Sequence, residues 1–566
     1  MPDLDAEQAG AVACDAPVVV VTAGPGTGKT RVLVERVRRA IREGDRPTVV
    51  TFTRSAAKEI RGRLGDDARG LGFTGTIHGL AHRILKDAGP EALPGWPARW
   101  EVAGPGVEDV LLRMATELGA SPRALAREHG LVPYDELFVL AAAWCRKVAA
   151  TGVERRRLLA VDEAQDLTAD EWDLVGTLSE RRFLVGDPMQ SIFGWRGAAG
   201  PSRYQAEVVA RGTFYVMNSY RCPEAVMKVA MRTAEAAGVA YAFAVPRGGS
   251  HGSASFALAG NARAGTLLAP PVQGATTLAY LARTRAAVAD AVAYLGHFGV
   301  KTNAPCLDDE VWETDGGVEV QAALRVLVEP RDSLHLAWLL RRCGLGHADL
   351  LRLEAARQRR ACPLWDVIQD GGLPPEVRPP VQAIRGLVEA RIAGDSPLPR
   401  LVADMIASTT EPTAPTRVRH GHADALRILR RWYDLAWEGE DGPADFLRWL
   451  ADPNVSADGL FNDDPVRPPW LGDPNGILCT TIHAAKGREW DHVVLWACDE
   501  GVLPSKLDQR TDADIAEARR LFYVATTRAR EAVTYVVAGD WQGDQGREGV
   551  PSRFLVESVL SHDQER

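Results

Sequence analysis

One stretch constrains this chain more than any other: Val18–Thr30, VVVVTAGPGTGKT. An apolar run ending in glycines suits a strand buried on both faces. Beyond it, Leu33, Val37 and Ala40/Ile41 fall on one helical face. In a strand, glycine-rich turn and helix start, backbone N–H groups converge on phosphate oxygens and the helix dipole favours negative charge. Lys29 is placed to reach β- and γ-phosphates as a point charge, and Thr30 to set a hydroxyl on Mg2+. Against the strict pattern G-x-x-x-x-G-K-[ST], Ala23 stands where the first glycine is expected; Gly24, Pro25, Gly26, Thr27 and Gly28 complete the loop.

The first 90 residues continue the alternation of strand and helix. Pro47–Phe52 reads as a strand and Ser55–Leu64 as a helix; Arg157–Val161 and Phe183–Val185 read as later strands. This rhythm predicts an α/β fold with parallel sheets flanked by helices. The segment LLAVDEAQD delivers Asp162 and Glu163 to the C-terminal end of a strand, the edge where such sheets hold ligands. Asp162 suits Mg2+ and Glu163 can polarise an attacking water, so the two segments together point to Mg-nucleotide hydrolysis. Residues 88–150 read as a helical insertion. A second β/α region starts near 214, with strands expected at Thr276–Ala282 and Ile477–Ile482 and mostly helical text over 333–474. DWQGDQGREG reads as a loop.

Length and composition bound the answer. The 566 residues predict about four compact units, and 46% hydrophobic with 25% charged residues is ordinary for globular protein. Sixty-six basic against 75 acidic residues give a charge of -9, so binding of nucleic acid has to come from a local cationic track. The eight cysteines are scattered without a C-x-x-C pair, which argues against a disulfide framework, a zinc site or an iron–sulfur cluster and for a reducing cytoplasm. MPDLDAEQAG lacks the features of a signal peptide, and no apolar run nears the ~20 residues of a membrane helix.

Further segments narrow the chemistry. They are Leu4–Val12 (LDAEQAGAV), Val50–Leu64 (VTFTRSAAKEIRGRL), Thr74–Leu85 (TGTIHGLAHRIL), Val185–Ala198 (VGDPMQSIFGWRGA), Phe214–Glu224 (FYVMNSYRCPE), Cys479–Val494 (CTTIHAAKGREWDHVV), Glu517–Glu531 (EARRLFYVATTRARE) and PSRFLVE near the end. In order and spacing this series resembles the motifs of superfamily 1 DNA helicases of the UvrD/Rep/PcrA type. The resemblance implies two RecA-like P-loop NTPase domains, each interrupted by a mostly helical insertion. The expected division is 1–87 with 151–217 (1A), 88–150 (1B), 218–332 with 475–566 (2A) and 333–474 (2B).

The same resemblance assigns expected roles. Gln8 falls in the adenine-reading motif and Tyr220 at the adenine-stacking position. Arg221 and Arg528 match the two arginines offered to the γ-phosphate when the motor domains close, and Gln190 matches the γ-phosphate sensor. Arg31 is expected near the phosphates and Glu489 near the nucleotide sugar, with an ordinary salt bridge the alternative for both. Trp195 and Arg196 match positions that touch DNA, five residues beyond Gln190. Phe52, Thr53, Arg54, Thr76, His78, Phe193 and His483 are further DNA-contact candidates; Phe52 is equally readable as strand core. Arg54, Lys58, Arg61 and Arg63 follow a phosphate backbone or form a solvated helix face.

Two departures stand out: Asn218-Ser219-Tyr220-Arg221 where Asn-Tyr-Arg is usual, and Arg488 where K-G-L-E has an apolar residue. The chain is also shorter than typical members, with the deficit expected in the insertions. The expectation is an ATP- and Mg2+-dependent motor moving 3′ to 5′ on single-stranded DNA and unwinding ss/ds junctions. Repair, replication or defence proteins are the expected partners, without a membrane. Two alternatives remain: an ATP-gated DNA-binding module, and an accessory motor subunit of a larger complex.

Overall fold

Four consecutive valines open the first sheet. In the computed structural model of the chain they lead β1 (Val18–Ala23), which is buried along its whole length. The structure describes residues 4–97, 100–103, 105–134, 136–149, 157–210, 213–239, 252–259, 277–304, 306–307, 314–369, 378–393, 398–409, scattered positions within 418–429, 476–539 and 549–559. Further strands are β2 (Thr48–Thr51), β3 (Phe73–Thr76), β4 (Glu101–Ala103), β5 (Leu131–Pro133), β6 (Leu159–Val161), β7 (Arg182–Gly186) and β8 (Thr213–Val216). Six of these form one parallel sheet in the order β3-β2-β6-β7-β1-β8. Because every pair is parallel, all their C-terminal ends lie on one edge.

The second sheet repeats the plan. Its strands are β9 (Ser253–Leu258), β10 (Leu278–Ala282), β11 (Thr302–Asn303), β12 (Ile477–Thr481), β13 (Trp490–Leu495) and β14 (Ala529–Val537), in the order β11-β12-β10-β13-β14-β9, again all parallel. The fold is α/β, with parallel sheets flanked by helices. Strands expected from the sequence are present with ends moved by a residue or two; DWQGDQGREG lies outside the described residues up to its last glycine.

The stretch 88–150, read as a helical insertion, adds two features to that reading. It contains the short parallel pair β4–β5. Its halves also face different cores. The helix Glu136–Ala149 buries Leu137, Phe138, Ala141 and Ala142 against the core of the first sheet. The helices Pro105–Leu118 and Pro122–Glu128 send Val107, Val110, Leu111, Met114 and Leu125 into one apolar core with residues 318–429. Ion pairs seam that junction: Arg113–Asp315 at 2.8 Å, Arg341–Glu117 at 2.9 Å and Arg357–Glu128 at 2.6 Å.

The candidate nucleotide and nucleic-acid cleft

The strand order of the first sheet arranges the site. From β8 across to β3, the loops leaving the C-terminal ends carry Tyr220 and Arg221, the phosphate loop, Gln190 and Trp195, Asp162 and Glu163, Phe52–Arg54, then Thr76 and His78. A parallel sheet therefore lays residues scattered through the first 221 positions along one edge. They open into a single cleft of about 1720 Å3, whose other wall comes from the second sheet through Arg283, His483, Lys486, Glu489 and Arg528.

At the phosphate loop, Gly28 sits at φ 83° as N-cap of the helix Lys29–Arg42 and offers no side-chain cap, leaving the first N–H groups open toward the cleft. Gly26 (φ 70°) packs so closely that a Cβ there would lie 2.4 Å from Cβ of Arg221. The Tyr220 amide donates to the Gly26 carbonyl (2.8 Å) and the Ser219 hydroxyl to that of Pro25 (2.9 Å), so the serine that breaks the usual triplet clips the loop. Lys29 donates to the Ala23 carbonyl at 3.4 Å, a long bond that a stronger anion can displace. Thr30 and Arg31 line the same end.

Gln8 is buried instead of solvated. It completes a capping box with Asp5, and its amide donates to the Thr27 carbonyl (3.0 Å). One donor and one acceptor position of that amide remain unused, but the residue is 1% exposed and does not line the cleft. Tyr220 presents a half-exposed ring whose hydroxyl donates to Asp5 at 2.9 Å.

Electrostatics separate the two acids. Burial, then the neighbouring Glu163 charge, pushes the Asp162 carboxyl up to about 7. Burial would raise Glu163 too, but Lys29 and Lys486, with the Gln165 amide and Arg528, hold it well below the usual range. Arg528 is buried, and its Nε donates to the Val524 carbonyl at 2.9 Å. Burial, then the Arg221 charge, lowers it to about 10, so it stays a cation at neutral pH. Glu489 pairs with both Arg221 and Arg530, the salt-bridge alternative for that residue. Open N–H groups, a glycine no side chain can replace, and a buried acid lacking a strong counter-charge fit a triphosphate with its Mg2+. Lys29 and the loop would hold the phosphates; Thr30 and Asp162 would hold the ion. Among the described residues, no group of three or more His, Cys, Asp or Glu is placed to hold a metal by itself.

The other end of the cleft is aromatic and cationic. Phe52 stacks on Phe193 with centroids 4.8 Å apart and planes 17° from parallel. The Arg196 guanidinium sits 5.0 Å over Phe52. Trp195 is 62% exposed and meets His483 edge-on at 6.4 Å. Burial, then the Arg283 charge, lowers the His483 imidazole to about 3, so it is neutral at physiological pH. Thr53 and Thr76 cap the helices Arg54–Leu64 and Ile77–Ala88, whose N-termini point at the cleft. His78 is mostly buried, stacked on Tyr134 at 3.9 Å, and has less surface to offer than the sequence suggests. Arg54 and Arg63 line the cleft; Arg63 also pairs with Glu59 at 2.5 Å.

The two ends meet in the loop 187–196. Gln190 donates its amide to Asp187 (2.8 Å) while its carbonyl accepts from Lys486 (2.7 Å). Lys486 also bonds Asp166, and Arg520 donates to the Ser191 carbonyl at 2.5 Å. Met189, Ile192 and Phe193 join the apolar core of the second sheet.

Residues 7–196 match the AAA domain family and residues 471–538 the UvrD-like helicase C-terminal domain. Together these matches and the relatives below support a UvrD/Rep/PcrA-like superfamily 1 helicase. Among its relatives, DNA helicase II of Salmonella typhimurium is 25% identical, the alignment covering 98% of this chain and 87% of the relative. DNA helicase II of Escherichia coli is 24% identical over the same shares, and the ATP-dependent DNA helicase PcrA of Leuconostoc citreum 23% over 97% and 84%. The partner of Lys486 is not legible from its own segment of sequence. Asp166 lies 320 positions away, and only the C-terminal D of LLAVDEAQD hints at it. Nor does the sequence single out the loop around Leu507, between two recognised motifs.

Proposed function

We propose that the chain couples ATP hydrolysis to 3′-to-5′ movement along single-stranded DNA and thereby unwinds duplex. The single observation that carries this is the loop 187–196. It joins Gln190 beside the acids to Trp195 in the aromatic end and is gripped by Lys486 and Arg520 from the second sheet.

In this reading Glu163, kept ionised by its cationic neighbours, orients and polarises the attacking water. Lys29 holds the phosphates, while Arg221 and Arg528 stabilise charge developing on the transferred group. Bound Mg2+ supplies neutralisation of phosphate charge. Tyr220 holds the base, and Glu489 exchanges its arginine partners for the sugar. Gln190 reports the γ-phosphate through its backbone to Trp195, which stacks on a base without regard to sequence. Phe52, Phe193, Arg54 and Arg196, with Thr53, Thr76, His78 and His483, complete the strand track. The working compartment is the bacterial cytoplasm, with repair, replication or defence proteins as partners; among the described residues no helix is long and apolar enough to cross a membrane.

The test is ATP turnover with and without poly(dT), followed by unwinding of 3′- and 5′-tailed duplexes at one stated salt. Stimulated turnover with unwinding from 3′ tails is expected. Turnover indifferent to DNA overturns the motor reading.

A further inference from the structure

Twelve large apolar side chains are exposed among the described residues, and three of them line the cleft: Tyr220, Trp195 and Leu507. Tyr220 and Trp195 already have roles that require an open apolar face. Leu507 is 61% exposed, as much as Trp195, and belongs to none of the recognised motifs. A lone leucine on a protein's outer surface calls for no explanation, but one held open inside a functional cleft does.

Its loop is not loose. Arg283 grips Asp508 with two guanidinium nitrogens, at 3.0 and 2.5 Å. Asp508 also accepts from the Ser505 amide (2.8 Å), and the Ser505 hydroxyl accepts from the Asp508 amide (3.2 Å). Leu503, four residues before, is fully buried as the anchor. The neighbouring residue is thus fixed on both sides while Leu507 itself is left facing the cleft. A chain that needed only a tight turn here would place a polar residue at such a position.

We infer that Leu507 is a base-contacting residue of the second sheet's wall, an apolar prop for single-stranded nucleic acid in the cleft that Trp195 also lines. The occupant follows from the surroundings: Arg510, Arg285 and Arg54 line the same cleft with Trp195 and Phe52, so the space offers cations for a phosphate backbone and apolar faces for bases. A leucine makes no hydrogen bond to a base edge, so its contact is sequence-neutral. It lacks a π-face and grips less firmly than tryptophan. The second wall then offers a weaker apolar base contact than the Trp195 wall, and a strand can slip past the second while the first holds. This rests on the reading of the cleft as a single-strand track.

The test uses the full chain and oligo(dT) as probe, measuring the DNA concentration for half-maximal ATPase stimulation (KDNA), the turnover at saturating DNA, and Tm. Leu507→Ala is expected to raise KDNA about 5-fold, and Leu507→Phe to return it to the wild-type value or below. Trp195→Ala, the reference, is expected to raise KDNA about 10-fold. If wild-type protein is stimulated and Trp195→Ala raises KDNA while Leu507→Ala does not, the Leu507 assignment alone is overturned. If wild-type turnover ignores DNA, the underlying function fails first. A KDNA rise that Phe does not rescue, accompanied by a fall in Tm, makes Leu507 a structural residue and also overturns the inference.

Discussion

The two sheets share a plan, six parallel strands with helices on their faces, yet they furnish the cleft from different places along their strands. The first contributes loops that follow its strands: the phosphate loop after β1, Asp162 after β6, the Gln190–Trp195 loop after β7. The second places Glu489 just ahead of β13 and Arg528 just ahead of β14, while His483 follows β12 and Arg283 follows β10. C-terminal strand ends with helix N-termini behind them are natural cradles for anions. Residues that precede a strand lack such a cradle and act through their side chains. The first sheet therefore contributes the backbone cradle for the substrate, and the second adds the buried Arg528 guanidinium.

That difference makes a sharp kinetic prediction. Lys29→Ala should remove both nucleotide affinity and turnover, whereas Arg528→Ala should cut turnover about 10^3-fold with nucleotide affinity held within a few-fold. Equilibrium binding of a fluorescent ATP analogue and steady-state ATPase separate the two. Equal loss of affinity in both variants breaks the division between holding and completing.

The next effect tests how the sheets are joined. Burial pushes the Asp166 carboxyl up to about 7 even with Lys486 bonded to it, the mark of a desolvated pair. Lys486→Met should destabilise the fold by about 3 kcal/mol, and adding Asp166→Asn should recover at least half, because a buried acid without its cation is the costly species. Urea unfolding of the three proteins decides it. No recovery in the double variant would mean that Lys486 acts through the Gln190 carbonyl alone.

The smallest effect lies within the first sheet. Asp162 has a folded pKa of about 7, above its value in an unfolded chain. Its charged form is penalised only in the fold, so the penalty is absent below about pH 4, grows as pH rises, and is complete above about 7. Asp162→Asn should therefore raise Tm by a few degrees at pH 8 without Mg2+, roughly 1–2 kcal/mol, with the gain vanishing at pH 4. An equal gain at both pH values would remove the electrostatic explanation.

How much of this was legible in the sequence depends on where the physics is local. The phosphate loop, LLAVDEAQD and GWRGA carry their chemistry within a dozen residues, so their places in the cleft follow from strand-then-loop patterning alone. β4 and β5 escaped because three-residue strands in alanine-rich text carry no period-two signal. The Lys486–Asp166 pair escaped because nothing local relates positions 320 apart. Leu507 escaped because an apolar residue announces no chemistry until its exposure is known. Ser219 was noticed as a departure, but its bond to the Pro25 carbonyl depends on how the phosphate loop docks.

The core shared by Val107–Leu125 and residues 318–429 also has a consequence in time. A ribosome emits the first partner about 200 residues before the second, which at roughly 5–20 residues per second is a wait of about 10–40 seconds. Until then Val110, Leu111 and Met114 stand on a nascent helix with no surface to cover them. The N-terminal half of this chain thus leaves the tunnel with an oily seam that only its own distant future can close, and a chaperone that shields apolar helices has its natural client there.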